Sequence, residues 1–266
     1  LFLSNINAGD IDVVVYGDTI RVSPLFNQTW YFTNHVEGYT GTLGGGSGIW
    51  GSRAVQGGGN SAAPAHLDTM DYFNIGVLSD AADFGNLTVA REYLAAEGDG
   101  SRGTNIAGRS PGPTYLDVID YFAIKSLVNS LDFGEFTQAR LLTQSSSDGN
   151  RAVTAGGHTG PAFVDTMDCF TFQSLGDATD FGELSLARHS PGTTSNGSRG
   201  IMASGEAPTQ SPIDPDIIDY ITIGTFCNAL DWGGELTVGR RQTCAASDGD
   251  RAVWMGGYTA SPTAYY

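Results

Sequence analysis

Lysine occurs once, at Lys125; the other 12 of the 13 basic residues are arginine, set against 29 Asp and Glu for a net charge of −16. A surface of that sign repels phosphate backbones, so nucleic acid is not an expected partner. Cysteine is scarce as well. Cys169, Cys227 and Cys244 are odd in number and show no C-x-x-C spacing, which excludes a disulfide framework and a zinc knuckle and leaves buried thiols as the expectation. No apolar run reaches the roughly 18 residues of a spanning helix, so no membrane insertion is expected. No basic stretch or cleavage pattern follows Leu1, and no targeting peptide is expected. The four histidines, His35, His66, His158 and His189, form no pair at metal-ligand spacing, and G-x-S-x-G and H-E-x-x-H are absent. Catalytic residues, a metal and a cofactor are therefore all expected to be lacking.

What the chain has is glycine, 37 of 266 residues, with 10 prolines and 40% hydrophobic residues, 11% of the total being aromatic. That apolar content is too high for a disordered chain, and so many turn formers imply many short strands.

The strands fall into a repeat. Arg53, Arg102, Arg151, Arg199 and Arg251 recur at spacings of 49, 49, 48 and 52. Asp-(Phe/Trp)-Gly begins at Asp83, Asp132, Asp180 and Asp231, and Asp-x-x-Asp begins at Asp68, Asp117, Asp165 and Asp216. A second arginine series, Arg91, Arg140, Arg188 and Arg240, stands 11 residues before the next member of the first. Each period of about 50 residues reads as one supersecondary unit. Asp99-Gly100, Asp148-Gly149, Asn196-Gly197 and Asp248-Gly249 suit the positive φ of a hairpin turn, pairing strands one and two. In Tyr121-Phe122-Ala123-Ile124 both faces are apolar, so strand three is expected to be buried on both sides. A shorter fourth strand is expected around Asp-Phe-Gly. Four-stranded sheets with two buried faces must lie between copies of themselves, which radial repetition provides.

The glycine pairs Gly156-Gly157 and Gly256-Gly257, the strand-three Tyr72, Tyr121 and Tyr220, and the aromatics Phe84, Phe133, Phe181 and Trp232 follow the order of a Kelch repeat. Cys169 stands at one Tyr position, and 200–205 has no adjacent glycine pair. The chain thus resembles Kelch-type β-propellers, and the variant DFGELxxAR, SDGxRAV, GG, DxxDYxxI is similar to repeats of virion structural and tail-fibre proteins of tailed phages, cyanophages above all. The resemblance covers about residues 40 to 260. It implies an all-β, five-bladed β-propeller occupying 1–266 as a single domain, with repeats at about 53–101, 102–150, 151–198 and 199–250. A composite blade of strands from 1–50 and 251–266 would close the ring, segment 11–34 pairing in one sheet beside 251–257.

Recurrent charges are scaffold residues before they are site residues. Arg91, Arg140, Arg188 and Arg240, with Asp83, Asp132, Asp180 and Asp231, are expected to act in this way, paired arginine and aspartate holding neighbouring blades together. Asp-x-x-Asp on a strand points its carboxylates to opposite faces, and no calcium site is expected. The strand two-three loops, in contrast, vary in length and content. Their His66, Arg109, Tyr115, His158 and Phe163, with Tyr258, are the expected ligand-binding residues. The functional expectation is a non-enzymatic virion module on the particle surface, whose partners are other virion proteins and a host-surface glycan or protein. A glycan-binding or glycan-cleaving propeller and an intracellular Kelch adaptor are the alternatives.

Overall fold

The computed structural model describes residues 2–7, 10–15, 18–22, 53–61, 66–112, 114–207, 213–260 and 263–265. Every regular element among them is a β-strand, and the sheets are small and antiparallel. The chain divides into two compact units, residues 1–39 and 40–266. The first contains a meander of β1 (Phe2–Asn7), β2 (Asp10–Val15) and β3 (Asp18–Val22).

The second unit holds the repeats. The first described repeat is a sheet of β4 (Arg53–Gly57), β5 (Thr69–Asn74) and β6 (Ala82–Asn86). The second has four strands, β7 (Ala95–Gly98), β8 (Arg102–Ser110), β9 (Thr114–Ala123) and β10 (Leu131–Glu135). The third comprises β11 (Gln144–Ser147), β12 (Arg151–Ala155), β13 (Thr166–Thr171) and β14 (Thr179–Glu183). The fourth comprises β15 (Gly192–Ser195), β16 (Arg199–Ala203), β17 (Ile217–Thr222) and β18 (Leu230–Glu235). The fifth is a two-stranded sheet of β19 (Cys244–Ser247) and β20 (Ala252–Met255), followed by a hairpin of β21 (Tyr258–Ala260) and β22 (Thr263–Tyr265).

The turn chemistry explains the hairpins. Asp148 Oδ1 accepts from the backbone N–H groups of Asn150 and Arg151 at 2.9 and 2.6 Å, and Asp99, Asn196 and Asp248 do the same in their own repeats. This side-chain acceptor fixes the loop that glycine at positive φ then closes. The Asp-Phe-Gly marker is a β-bulge: register shifts between Asp132 and Gly134, and the glycines Gly85, Gly134 and Gly182 take φ of 143°, 149° and 144°. Asp83, Asp180 and Asp231 each accept a hydrogen bond from the glycine two residues on. These aspartates are exposed and serve their own strand, so the arginines find their carboxylates elsewhere.

The cores lie between successive repeats, as two apolar faces per sheet require. Met70, Phe84 and Leu87 pack on Phe122 and Ile124; Phe133 and Phe136 on Phe170 and Phe172; Phe181 and Leu184 on Ile221 and Ile223. The residues two positions before the first strands also meet one another in order, through Leu142 N–H to Tyr93 O at 3.1 Å, Ser190 N–H to Leu142 O at 2.8 Å and Gln242 N–H to Ser190 O at 3.3 Å.

Several expectations need correction. The composite blade is not formed among the described strands. Residues 10–22 fold back on themselves, Ile11 opposite Val22, and take β1 as their third strand, while β20 has β19 as its ladder partner. Residues 23–34 lie outside the described residues. The loop 107–115 is part of a long hairpin that runs to Ser110 opposite Thr114. Cys169 is buried, Cys227 half-buried and Cys244 exposed, because β19 faces a cavity and not a core.

Candidate recognition rim

The second, third and fourth repeats are each pinned by one buried ion pair. Arg91 Nη1 lies 2.9 Å from Asp120, Arg140 Nη2 3.1 Å from Asp168 and Arg188 Nη1 3.0 Å from Asp219, all fully buried. Burial pulls the three guanidinium pKa values down and the facing carboxylates oppose it. A hydroxyl completes each cluster: Thr88 Oγ1 to Asp120 at 2.5 Å, Thr137 Oγ1 to Asp168 at 2.8 Å, Ser185 Oγ to Asp219 at 2.6 Å. The carboxylate is thus the second Asp of Asp-x-x-Asp.

Two residues after each second-series arginine the backbone repeats a fixed figure. Tyr93, Leu142, Ser190 and Gln242 all have φ of 52° to 57°. At the end of strand two, the pairs Gly58-Gly59, Ala107-Gly108, Gly156-Gly157, Ser204-Gly205 and Gly256-Gly257 have positive φ at both residues. The second position is glycine in all five pairs, at φ of 93° to 125°, outside the left-handed helical well. A Cβ on Gly108 would lie 2.7 Å from Glu92 O, and one on Gly205 2.7 Å from His189 O. The first position is left-handed helical, which alanine and serine enter at modest cost, so the pair survives in structure where it is lost in sequence.

These two figures bring paired positions face to face. Glu92 bridges Arg109, Leu141 bridges His158, His189 bridges Glu206 and Arg241 bridges Tyr258, each through reciprocal backbone hydrogen bonds of 2.8 to 3.3 Å. The backbone is the same four times, and the side chains are different four times.

All six sequence-predicted residues fall along this rim. His66 Nε2 lies 3.2 Å from Glu92, which also pairs with Arg109 and accepts from Asn60 at 3.1 Å. Burial would raise the Glu92 carboxyl, but Arg109, Asn60 and His66 outweigh it and hold the group below the usual carboxylate range. Arg109 sits opposite Tyr115 in the β8–β9 ladder, and Tyr115 approaches the His158 ring at 6.0 Å. Phe163 meets His158 edge-on at 5.0 Å and His189 at 4.5 Å. His189 Nε2 is 3.3 Å from Glu206, whose carboxylate also pairs with Arg241. Arg241 donates from Nε to Asp214 at 2.6 Å and stacks over Tyr258 at 5.3 Å. Sequence reasoning missed Glu92, His189, Glu206, Arg241 and Asp214. The signal was there for three of them, since Glu92, His189 and Arg241 each follow a repeat arginine by one residue.

Inside the rim, Tyr93, Leu142, Ser190 and Gln242 line a mouth of about 310 Å³ together with Cys244. A cavity of about 560 Å³ is lined by residues of all five repeats, including Gln56, Ala95, Gln144, Thr193 and Ala245. Among the described residues no three His, Cys, Asp or Glu side chains converge as a metal site. No protein-family model and no curated protein matches the chain.

The buried His189 yields a pH prediction. Burial, with His158 and Arg241 close by, lowers its pKa from 6.5 to about 4, and a neutral ring accepting from Ser190 Oγ at 2.9 Å and donating to Glu206 suits the site. The unfolded chain takes up this proton near pH 6.5 and the folded chain only near 4. The group's contribution is therefore whole above pH 6.5 and declines as pH falls to about 4, by on the order of 2 to 3 kcal/mol. Denaturant titrations at pH 7, 5.5 and 4 should show a steeper decline for the natural chain than for His189→Gln. Equal slopes would mean that the ring takes up its proton at the same pH in the folded and unfolded chain.

Proposed function

We propose that the chain is a five-bladed β-propeller acting as a non-enzymatic module of a virion, and that it engages a host-surface or virion partner through the strand two-three rim. The observation that carries this reading is the contrast between frame and rim. Three of the second-series arginines are spent on buried scaffold pairs, whereas the fixed bridge positions hold Glu92/Arg109, Leu141/His158, His189/Glu206 and Arg241/Tyr258. Variable side chains on a rigid frame are the usual arrangement for recognition. The five-repeat cavity supports radial closure, and the resemblance of the repeats to those of tailed-phage particle proteins supports the virion setting.

Cleavage is disfavoured against binding. A glycosidase needs one carboxyl free to donate a proton, and here Glu92, Glu206 and Asp214 are each held by an arginine. Aromatic rings beside arginine-carboxylate pairs suit a sugar or protein surface.

Adsorption of the purified protein to a panel of bacterial cells tests the rim. Replacing Arg109, Tyr115 and His158 together by alanine should weaken adsorption by about tenfold or more, the loss of one or two anchor contacts. Asp148→Asn, in a turn at the other end of the strands, should leave it intact. The reverse pattern would move the site to the Asp-Gly turns. Mass spectrometry of purified particles for these peptides tests the virion setting.

A further inference from the structure

We propose that Asn196 is a self-modification site. In the fold its side-chain amide is converted to a carboxylate by way of a succinimide closed on Gly197, with water as the co-reactant and aspartate as the main product. The inference does not depend on what the rim binds.

The other turns of the chain set the precedent. Asp99-Gly100, Asp148-Gly149 and Asp248-Gly249 are built as Asn196-Gly197 is. In all four the first residue donates its N–H to the carbonyl of the arginine three residues on, at 3.1 to 3.2 Å, and the glycine has φ of 83° to 96°. In all four, side-chain Oδ1 accepts from the backbone N–H groups two and three residues on, but the bonds differ in length. Asn196 takes them at 3.1 and 2.8 Å. The three aspartates take them at 2.8 to 3.0 and 2.6 to 2.7 Å. A carboxylate accepts more strongly than an amide carbonyl. The backbone N–H groups of Arg251 and Asp250 accordingly hold the Asp248 carboxyl below the usual carboxylate range. The product of the conversion is thus present three times in this chain, and each time the turn tightens on it.

The reacting groups are accessible. Asn196-Gly197 is the one Asn-Gly pair in the sequence. Asn196 is exposed and its Nδ2 has no acceptor among the described residues, so the leaving nitrogen faces solvent. Gly197 N–H, the nucleophile, donates to Ser195 Oγ at 3.4 Å, a long bond, and glycine carries no Cβ to shield it. Asn129-Ser130 is the contrast. Ser130 N–H is held by Asn86 O at 2.8 Å, and Asn129 Oδ1 accepts from Asn86 N–H at 3.0 Å.

The step runs as follows in atoms. Gly197 N loses its proton and bonds to Asn196 Cγ, the Cγ–Nδ2 bond breaks, and Nδ2 leaves as ammonia with that proton. Water then opens one side of the ring. Opening at Cγ restores the backbone and leaves a side-chain carboxylate, whereas opening at the Asn196 backbone carbonyl routes the chain through the side chain as isoaspartate. The fold separates the two outcomes. Isoaspartate inserts a methylene into the backbone between β15 and β16, whose ladder runs to Ser195 opposite Gly200, and it displaces the acceptor of the Ser198 and Arg199 N–H groups. A free peptide, with no such constraint, gives mainly isoaspartate.

The test incubates the whole chain beside a synthetic peptide of residues 190–204, SPGTTSNGSRGIMAS, in heavy-oxygen water at mildly alkaline pH, with both mapped by mass spectrometry. The folded chain should convert Asn196 with uptake of one labelled oxygen while Asn129 stays an amide. Aspartate should exceed isoaspartate in the folded chain, and the ratio should reverse in the peptide. Asn196→Asp should melt about 1 to 3 °C above the natural chain. The proposal is overturned by an Asn196 still amidated when the peptide has fully converted, by isoaspartate as the main product in the folded chain, or by a variant that melts at or below the natural chain.

Discussion

Arg188→Ala is expected to lower the unfolding free energy by about 3 to 5 kcal/mol, the cost of stranding a buried carboxylate. Asp219 is fully buried and takes Arg188 at 3.0 Å together with the Ser185 hydroxyl and backbone N–H. Removal of the guanidinium leaves one partial donor set for a full charge and frees the Met202 carbonyl as well. The double variant Arg188→Met, Asp219→Leu should recover much of the loss, because apolar side chains of similar size avoid the desolvation cost. Urea titrations of the natural chain and both variants check this. A single variant within 1 kcal/mol of the natural chain would mean that water reaches the pair.

Gly182→Ala is expected to cost about 3 kcal/mol or more. The residue has φ of +144°, where L side chains are strained, and a Cβ would stand 2.4 Å from Cys227 O of the next repeat. The contact sits beside the hydrogen bonds that join the repeats, Ala229 N–H to Glu183 O at 2.7 Å and Glu183 N–H to Asn228 Oδ1 at 3.1 Å. The methyl must push those apart. Gly233→Ala meets no neighbour and should cost only its backbone term, about 1 kcal/mol. Similar losses at the two positions, measured by thermal unfolding, would remove the close approach as the cause.

The period and the hairpin turns were legible because they rest on local chemistry. Asp or Asn followed by Gly can only do a few things, and it did the same thing at Asp99, Asp148, Asn196 and Asp248. The burial of both faces of strand three was legible from Phe122 and Ile124 beside Tyr121. What was hidden depends on conformation or on contacts far apart in the chain. Ala107 and Ser204 do not look like glycine, yet they occupy its left-handed place. The Asp-Phe-Gly aspartate looked like an ion-pair partner, but a bulge turns it to solvent and the arginines reach Asp120, Asp168 and Asp219 instead. The rim carboxylates Glu206 and Asp214 lay in a segment whose markers differ from those of the other repeats.

The proposed recognition rim rests on a radial arrangement of the five repeats whose residues line one cavity. That arrangement can be measured by cross-linking Gln56, on β4, to Cys244, on β19, after Gln56→Cys and Cys227→Ala; both positions are exposed to the cavity, and Cys169 is shielded in the core. Stacked in a straight line, sheets about 10 Å apart would put the first and fifth repeats about 40 Å from each other. Radial closure predicts a rapid intramolecular cross-link by a short bis-maleimide, seen by mass spectrometry in the monomer. A monomer that carries the reagent on both cysteines without joining them would contradict the ring.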